Sequence, residues 1–282
     1  GCCRLAAAGL LLNVMVRRRS QWAITEWNGP PGPEPGTDFK ERAKGKMEHN
    51  NYIEMIEAIR DHAKVVDLSY TMEMNMPFWP TQPKYEAAVV ETYEAGGESY
   101  HQSIRISEHT GTHIDAPKHF IPGGCPVDEL SPRTVMGRGV TIHGENIAPC
   151  GLLPLEQIKA FEAENGEIRA GDIVMIRFGW EDKYAILPED KGFLRDWPGL
   201  SEEAAQYLAK KGVAAVGCDT LALDAFGVKR FISHEILLGQ GIPIMENLCN
   251  LGKLPPFCAV FGLQNKFKGG SGSPIRLVAF VQ

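Results

Sequence analysis

Apolar residues at three-residue steps, Ile53, Ile56 and Ile59, share one helical face and predict a helix over residues 52–63. Val65-Val66-Asp67-Leu68-Ser69-Tyr70 follows as a strand, and the proline-bounded, aromatic Met76-Pro77-Phe78-Trp79-Pro80 as a loop. Residues 85–93 and 100–108 read as strands around the turn Ala95-Gly96-Gly97-Glu98. The second strand runs into a histidine-rich stretch that Ile121-Pro122-Gly123-Gly124 ends. A short strand is expected over 138–143 and a helix over 155–164, with Leu155, Ile158 and Phe161 on one face and a stop at Asn165-Gly166. Residues 173–178 form a buried strand. Ser201 is placed to cap a helix with Glu202 and Glu203 in its first turn, ending at Lys210-Lys211-Gly212. A strand over 213–218, a helical segment over 231–238 and a buried strand over 242–248 complete the pattern. Strands alternating with helices imply an α/β fold with at least a partly parallel sheet.

Residues 1–50 do not share this pattern. An apolar run over 5–16 lies between Arg4 and Arg17-Arg18-Arg19, the wrong charge order for a secretory signal. Gly1-Cys2-Cys3 hints at acylation, but Leu5 stands where the myristoylation pattern needs Ser or Thr. Arginines without acids before Glu26 weakly resemble an organelle transit peptide. Asn28 to Gly36, rich in Pro and Gly, reads as a linker. Residues 1–50 are expected to be a leader and linker, added or poorly ordered, with the native protein starting near Met47 and one folded domain over 51–282.

With 44% hydrophobic residues the chain can bury a sizeable core. A net charge of −6 and a pI near 5.8 argue against a nucleic-acid partner, which needs a basic patch. No apolar run reaches membrane-spanning length. Seven scattered cysteines without a Cys-x-x-Cys pair read as reduced thiols, mostly core filler, of a cytoplasmic protein.

The chemistry concentrates in His109-Thr110-Gly111-Thr112-His113-Ile114-Asp115-Ala116-Pro117-Lys118-His119-Phe120, which holds three of the eight histidines. Gly111, two threonines and Pro117 disfavour a helix. In an extended strand His109, Gly111, His113 and Asp115 would face the same way, with the glycine leaving room for an ion or substrate. Two imidazoles and a carboxylate suit Zn²⁺ or Mn²⁺. The alternative is a pair of surface histidines beside a capping aspartate. His143 falls in no cluster and is read as structural or exposed, and Asp219 and Asp224 as supporting turn or cap residues.

His-x-Gly-Thr-His-x-Asp-x-Pro-x-His-Phe resembles the signature of the cyclase family of metal-dependent hydrolases, which includes kynurenine formamidases, isatin hydrolase and lactone hydrolases. His234, the segment Ile242 to Leu248 and Gly272-Ser273-Pro274-Ile275-Arg276 extend the likeness from about Val65 to the end. It implies a compact mixed-sheet, β-barrel-like core wrapped by helices, and a homo-oligomer, dimer or tetramer. On their own, His234 on an apolar helical face and Glu246 in a buried strand are ambiguous. The resemblance makes them the remaining metal ligands, beside His109, His113 and Asp115. Five donors exceed what one tetrahedral ion needs. Two ions sharing a carboxylate would use them all, and one ion with Glu246 acting on water is the other option. His119 is placed to shuttle a proton.

The activity so implied is hydrolysis of a C–N bond in an aryl formamide or cyclic amide by metal-activated water. Its partner is a small molecule with an aromatic or cyclic amide or ester, received by Phe78 and Trp79, with Trp180 or Trp197 as further candidates. Ester or lactone hydrolysis, and a metal-bearing binding protein without turnover, are the alternatives. No Gly-x-Ser-x-Gly elbow or adjacent Cys-His pair offers covalent catalysis.

Overall fold

The computed structural model describes residues 51–282, so the expectations for residues 1–50 lie outside the described residues. Helix α1 (Asn51–His62) leads into strand β1 (Lys64–Asp67), and β2 (Glu86–Glu91) pairs with β3 (His101–Arg105) as a separate hairpin. The metal-motif strand β4 (His113–Asp115) precedes β5 (Met136–His143), the short β6 (Leu152–Leu153) and α2 (Leu155–Asn165). Then come β7 (Ile173–Arg177), β8 (Gly199–Leu200), α3 (Glu202–Lys211) and β9 (Ala215–Cys218). Helix α4 (Ile232–Gly239), β10 (Ile244–Glu246), β11 (Phe257–Gln264) and β12 (Gly272–Val281) complete the chain.

Seven strands close into a barrel in the order β4-β12-β11-β5-β7-β9-β10 and back to β4. Strands β5, β7, β9 and β10 run parallel, and the remaining barrel pairings are antiparallel. β12 can close the ring because its ten residues pair with β4 at one end and with β1 at the other, along the same edge. The mixed-sheet, barrel-like α/β expectation holds.

Alternation along the parallel strands builds two cores. In β7, Ile173 and Met175 face the barrel interior with Ile114, Val260, Leu277 and Met245. Val174 and Ile176 face outward, under Ile158 and Phe161 of α2, Leu208 of α3 and Leu237 of α4. Ser201 caps α3 by accepting from the Ala204 N–H, and Gly212 ends it in the left-handed region at φ 71°. The five cysteines among the described residues are free thiols.

Two expectations need correction. The strand pair of the hairpin is shorter than 85–93 and 100–108, and β3 stops at Arg105 rather than running into the motif. The extended run over 109–115 is a strand only at His113–Asp115, because Gly111 turns the chain at φ 63°. Helix α1 forms where its isoleucines recur, but none of its residues is buried.

Candidate metal centre and active site

The site sits where β4 closes the barrel. His113 and Asp115 alternate onto one face of β4 while Ile114 goes to the interior core. Register puts Glu246 of β10 opposite His113, and Gly272 of β12 opposite Asp115. His109 therefore does not arrive by strand phase. It comes across the Gly111 turn, where a Cβ would stand 2.8 Å from Met76 Cε. Thr112 fixes that turn, donating to the Asn247 carbonyl and accepting the Tyr70 N–H at 3.0 Å.

All five expected donors meet. His109 Nδ1 is 2.6 Å from Asp115 Oδ1, and His113 Nε2 is 3.3 Å from the same oxygen. His234 Nε2, from α4, lies 3.1 Å from Glu246 Oε1 and 3.5 Å from Asp115 Oδ2, and Glu246 Oε2 is 3.5 Å from His113 Nε2. Asp115 is shared between two clusters, His109–His113–Asp115 and Asp115–His234–Glu246.

The outer nitrogens explain why the inner ones face inward. His113 Nδ1–H donates to the Gly111 carbonyl at 2.8 Å, and His234 Nδ1–H to Asp224 Oδ2 at 2.6 Å. Both rings thus turn Nε2 toward the carboxylates, the arrangement metal-binding histidines use. Asp224 is the functional residue whose weight the sequence hid. Its signal was a carboxylate ten residues before a helical histidine, which turn chemistry explained equally well.

Burial opposes charge at Asp115, but the adjoining His109, His113 and His234 rings outweigh it and hold the carboxyl well below its ordinary range. Burial likewise opposes charge on His113 and His234, yet Asp115 and Glu246 with their hydrogen bonds raise both. Asp115 Oδ2 is buried without a hydrogen-bond partner, and converging imidazole and carboxylate donors suit a divalent ion.

A cavity of about 220 Å³ opens above these donors, lined by Trp79, Gln82, His119, Phe120, Phe231 and Asn247 together with His109, His113, His234 and Glu246. His119 follows Pro117 in a 3₁₀ turn, and its ring lies against that of His109, tilted by 30° with centroids 4.0 Å apart. Burial pushes its pKa down to about 4, aided by the neighbouring histidines and opposed by Asp115. Trp79 is among the residues that line the cavity, and Phe78 is not. Trp180 and Trp197 lie behind the wall in a buried cluster with Phe193, against which Trp79 packs. Asp219 anchors the root of that cluster by accepting the Phe178 and Trp180 N–H groups at 2.7 Å each. His143 is exposed and bonded to Glu145.

A closed barrel with a shared-carboxylate donor set can hold a divalent ion, and comparison with known proteins supplies the class. Residues 66–225 match the family described as "Putative cyclase". The isatin hydrolase of Roseibium aggregatum is 31% identical over 244 residues, covering 77% of this chain and 92% of that one. A kynurenine formamidase of Bacillus cereus is 27% identical over 213 residues, covering 76% and 95%. An isatin hydrolase solved with the product analogue thioisatinate superposes with a TM-score of 0.76 at 28% identity, covering 83% of this chain and 99% of that chain. The chain belongs to the cyclase family and is a hydrolase. No helix among the described residues is long and apolar enough to cross a membrane.

Proposed function

We propose that this chain hydrolyses the C–N bond of a small aromatic amide, a cyclic amide of the isatin type or an aryl formamide. The observation that carries the reading is the cavity itself, with the five-donor cluster at its floor and Trp79, Phe120 and Phe231 as walls. Its volume of about 220 Å³ lies below the roughly 300–1,000 Å³ of drug-sized pockets, which favours a compact one- or two-ring substrate.

His109, His113, Asp115, His234 and Glu246 would hold Zn²⁺ or Mn²⁺, one ion or two. When bound, the metal polarises a carbonyl and lowers the pKa of water to roughly 7. With one ion, Glu246 is available as a base toward water; with two, it serves as a ligand. Trp79, Phe120 and Phe231 receive the flat body of the substrate and exclude water around the scissile bond. Gln82 accepts the Ser107 hydroxyl through Oε1 at 2.9 Å, which leaves its NH₂ group to donate to a substrate oxygen. His119, neutral near pH 7, takes a proton and returns it to the departing nitrogen.

A homo-oligomer remains part of this reading. Val89, Val90, Tyr93, Tyr100 and Ile104 of the hairpin region are each more than half exposed, as are Tyr52, Ile53 and Ile56 of α1. An isolated two-stranded hairpin is marginal in water, and a second copy would cover it. Light scattering that gives a monomer mass at micromolar concentration would remove this part. The cytoplasm is the compartment we expect, from the free thiols among the described residues.

The substrate screen is direct. Isatin, N-formyl anilides and aryl lactones are offered to the metal-loaded chain with product followed by absorbance. Turnover of isatin or a formanilide, abolished by chelator and restored by metal, supports the reading. Turnover confined to lactones would make it an esterase, and no turnover of any of the three with metal bound would overturn the amide reading.

A further inference from the structure

His113 and His234 have their tautomers set by partners already described, and the third histidine has one outside the recognised motif. Glu108 Oε2 accepts twice from Ser271, from the backbone N–H at 2.7 Å and from the hydroxyl at 2.7 Å. Ser271 Oγ also lies 3.0 Å from His109 Nε2. An ionised carboxylate can only accept, so the serine proton points to Glu108. The serine then has only a lone pair to offer the ring, and His109 Nε2 must carry a proton. Nδ1 points to Asp115, 2.6 Å from Oδ1, and is the ring nitrogen left to meet an ion there.

We propose that Glu108 and Ser271 are positioning residues that hold His109 as its Nε2–H tautomer and aim Nδ1 at the metal. The proposal rests on the divalent-ion reading of the site. Ser271 is itself fixed, because its carbonyl accepts the Ala116 N–H at 2.9 Å just before β12 begins. The His109 ring is hemmed in by His119, with centroids 4.0 Å apart, and by the Gly272 backbone, where a Cβ would come within 2.6 Å of Cε1. Glu108 thus acts through Ser271 and touches neither ion nor substrate.

The test is Zn²⁺ affinity of the full chain, measured by competition with a chromogenic chelator, for wild type, Ser271→Ala, Glu108→Ala and Glu108→Gln. Partners of metal-bound histidines are typically worth 10–100-fold in affinity. Ser271→Ala and Glu108→Ala should each lose roughly that much, while Glu108→Gln, whose amide oxygen still accepts, should recover most of it. Side-chain ¹⁵N spectra of the Zn²⁺-loaded wild type should show His109 bound through Nδ1 with a proton on Nε2. Unchanged affinity in Ser271→Ala, with or without a lower melting temperature, would reduce the pair to a loop tie and overturn the proposal. Coordination through Nε2 would overturn it as well. Should Glu108→Ala not fold, Ser271→Ala alone decides. A wild type that binds no Zn²⁺ or Mn²⁺ would instead remove the site reading beneath it.

Discussion

His234 Nδ1 and Asp224 Oδ2 stand 2.6 Å apart, and the same carboxylate accepts the Ser233 N–H at 2.9 Å and the His234 N–H at 3.1 Å. One side chain from the preceding loop thus satisfies the open N–H groups at the start of α4 and fixes the ring that α4 carries into the site. Replacing it should damage both. Asp224→Ala is expected to weaken Zn²⁺ binding roughly 10–100-fold. It should also destabilise the metal-free chain by about 1–2 kcal/mol through the lost cap. Chelator competition and denaturant unfolding measure the two separately, and undiminished Zn²⁺ affinity would show that His234 needs no such partner.

Asp115 bridges both donor clusters, so it should matter more than any single histidine. Asp115→Ala and His113→Ala are expected to lose metal and turnover together. Elemental analysis after dialysis reads the first and the amide assay the second. A variant that keeps full metal content would place the ion elsewhere.

His119 should behave differently, because its ring lies beside the donors without joining their cluster. His119→Ala is expected to retain metal while its rate falls by about 10²–10⁴. The loss should shrink for substrates whose leaving group needs no proton. Equal losses on an activated aryl ester and an unactivated formamide would deny it the proton-transfer role.

The fold was legible where burial repeats at a fixed period. Val174 and Ile176 against Ile173 and Met175 announce a strand covered on both faces, and Ser201 and Gly212 announce both ends of α3. Barrel closure was not legible from periodicity, since it depends on β12 sharing one edge between β4 and β1, a long-range pairing that only the family likeness implied. The motif residues were evident by type, but their geometry was read wrongly. Extended phase was assumed through Gly111, whose positive φ sends His109 to Asp115 by a turn instead. Asp224, Glu108 and Ser271 were hidden for a simpler reason: each acts through a neighbour brought in by tertiary structure.

Asp219 supplies a pH test away from the donor cluster. Burial pushes its carboxyl up to about 7, Glu181 adds to this, and the N–H groups of Phe178, Trp180 and Glu181 oppose it. The folded pKa thus lies above the unfolded value of about 3.9. Between those values the folded chain holds a proton that the unfolded chain has lost. Its stabilising contribution is therefore full at low pH and is lost as pH rises through about 7. Asp219→Asn cannot ionise, so its melting temperature relative to wild type should rise between pH 5 and 8. A constant offset would mean that the N–H donors keep the carboxylate charged throughout.

The central claim is that the five donors form a hydrolytic metal centre, and it is tested by titrating Zn²⁺ or Mn²⁺ into the metal-stripped chain while following isatin or formanilide hydrolysis. The account predicts no turnover at the start, then a rise that saturates at one or two ions per chain. Asp115→Ala should give no rise. Full turnover by the stripped chain, or saturation of the ion without any hydrolysis, would contradict it.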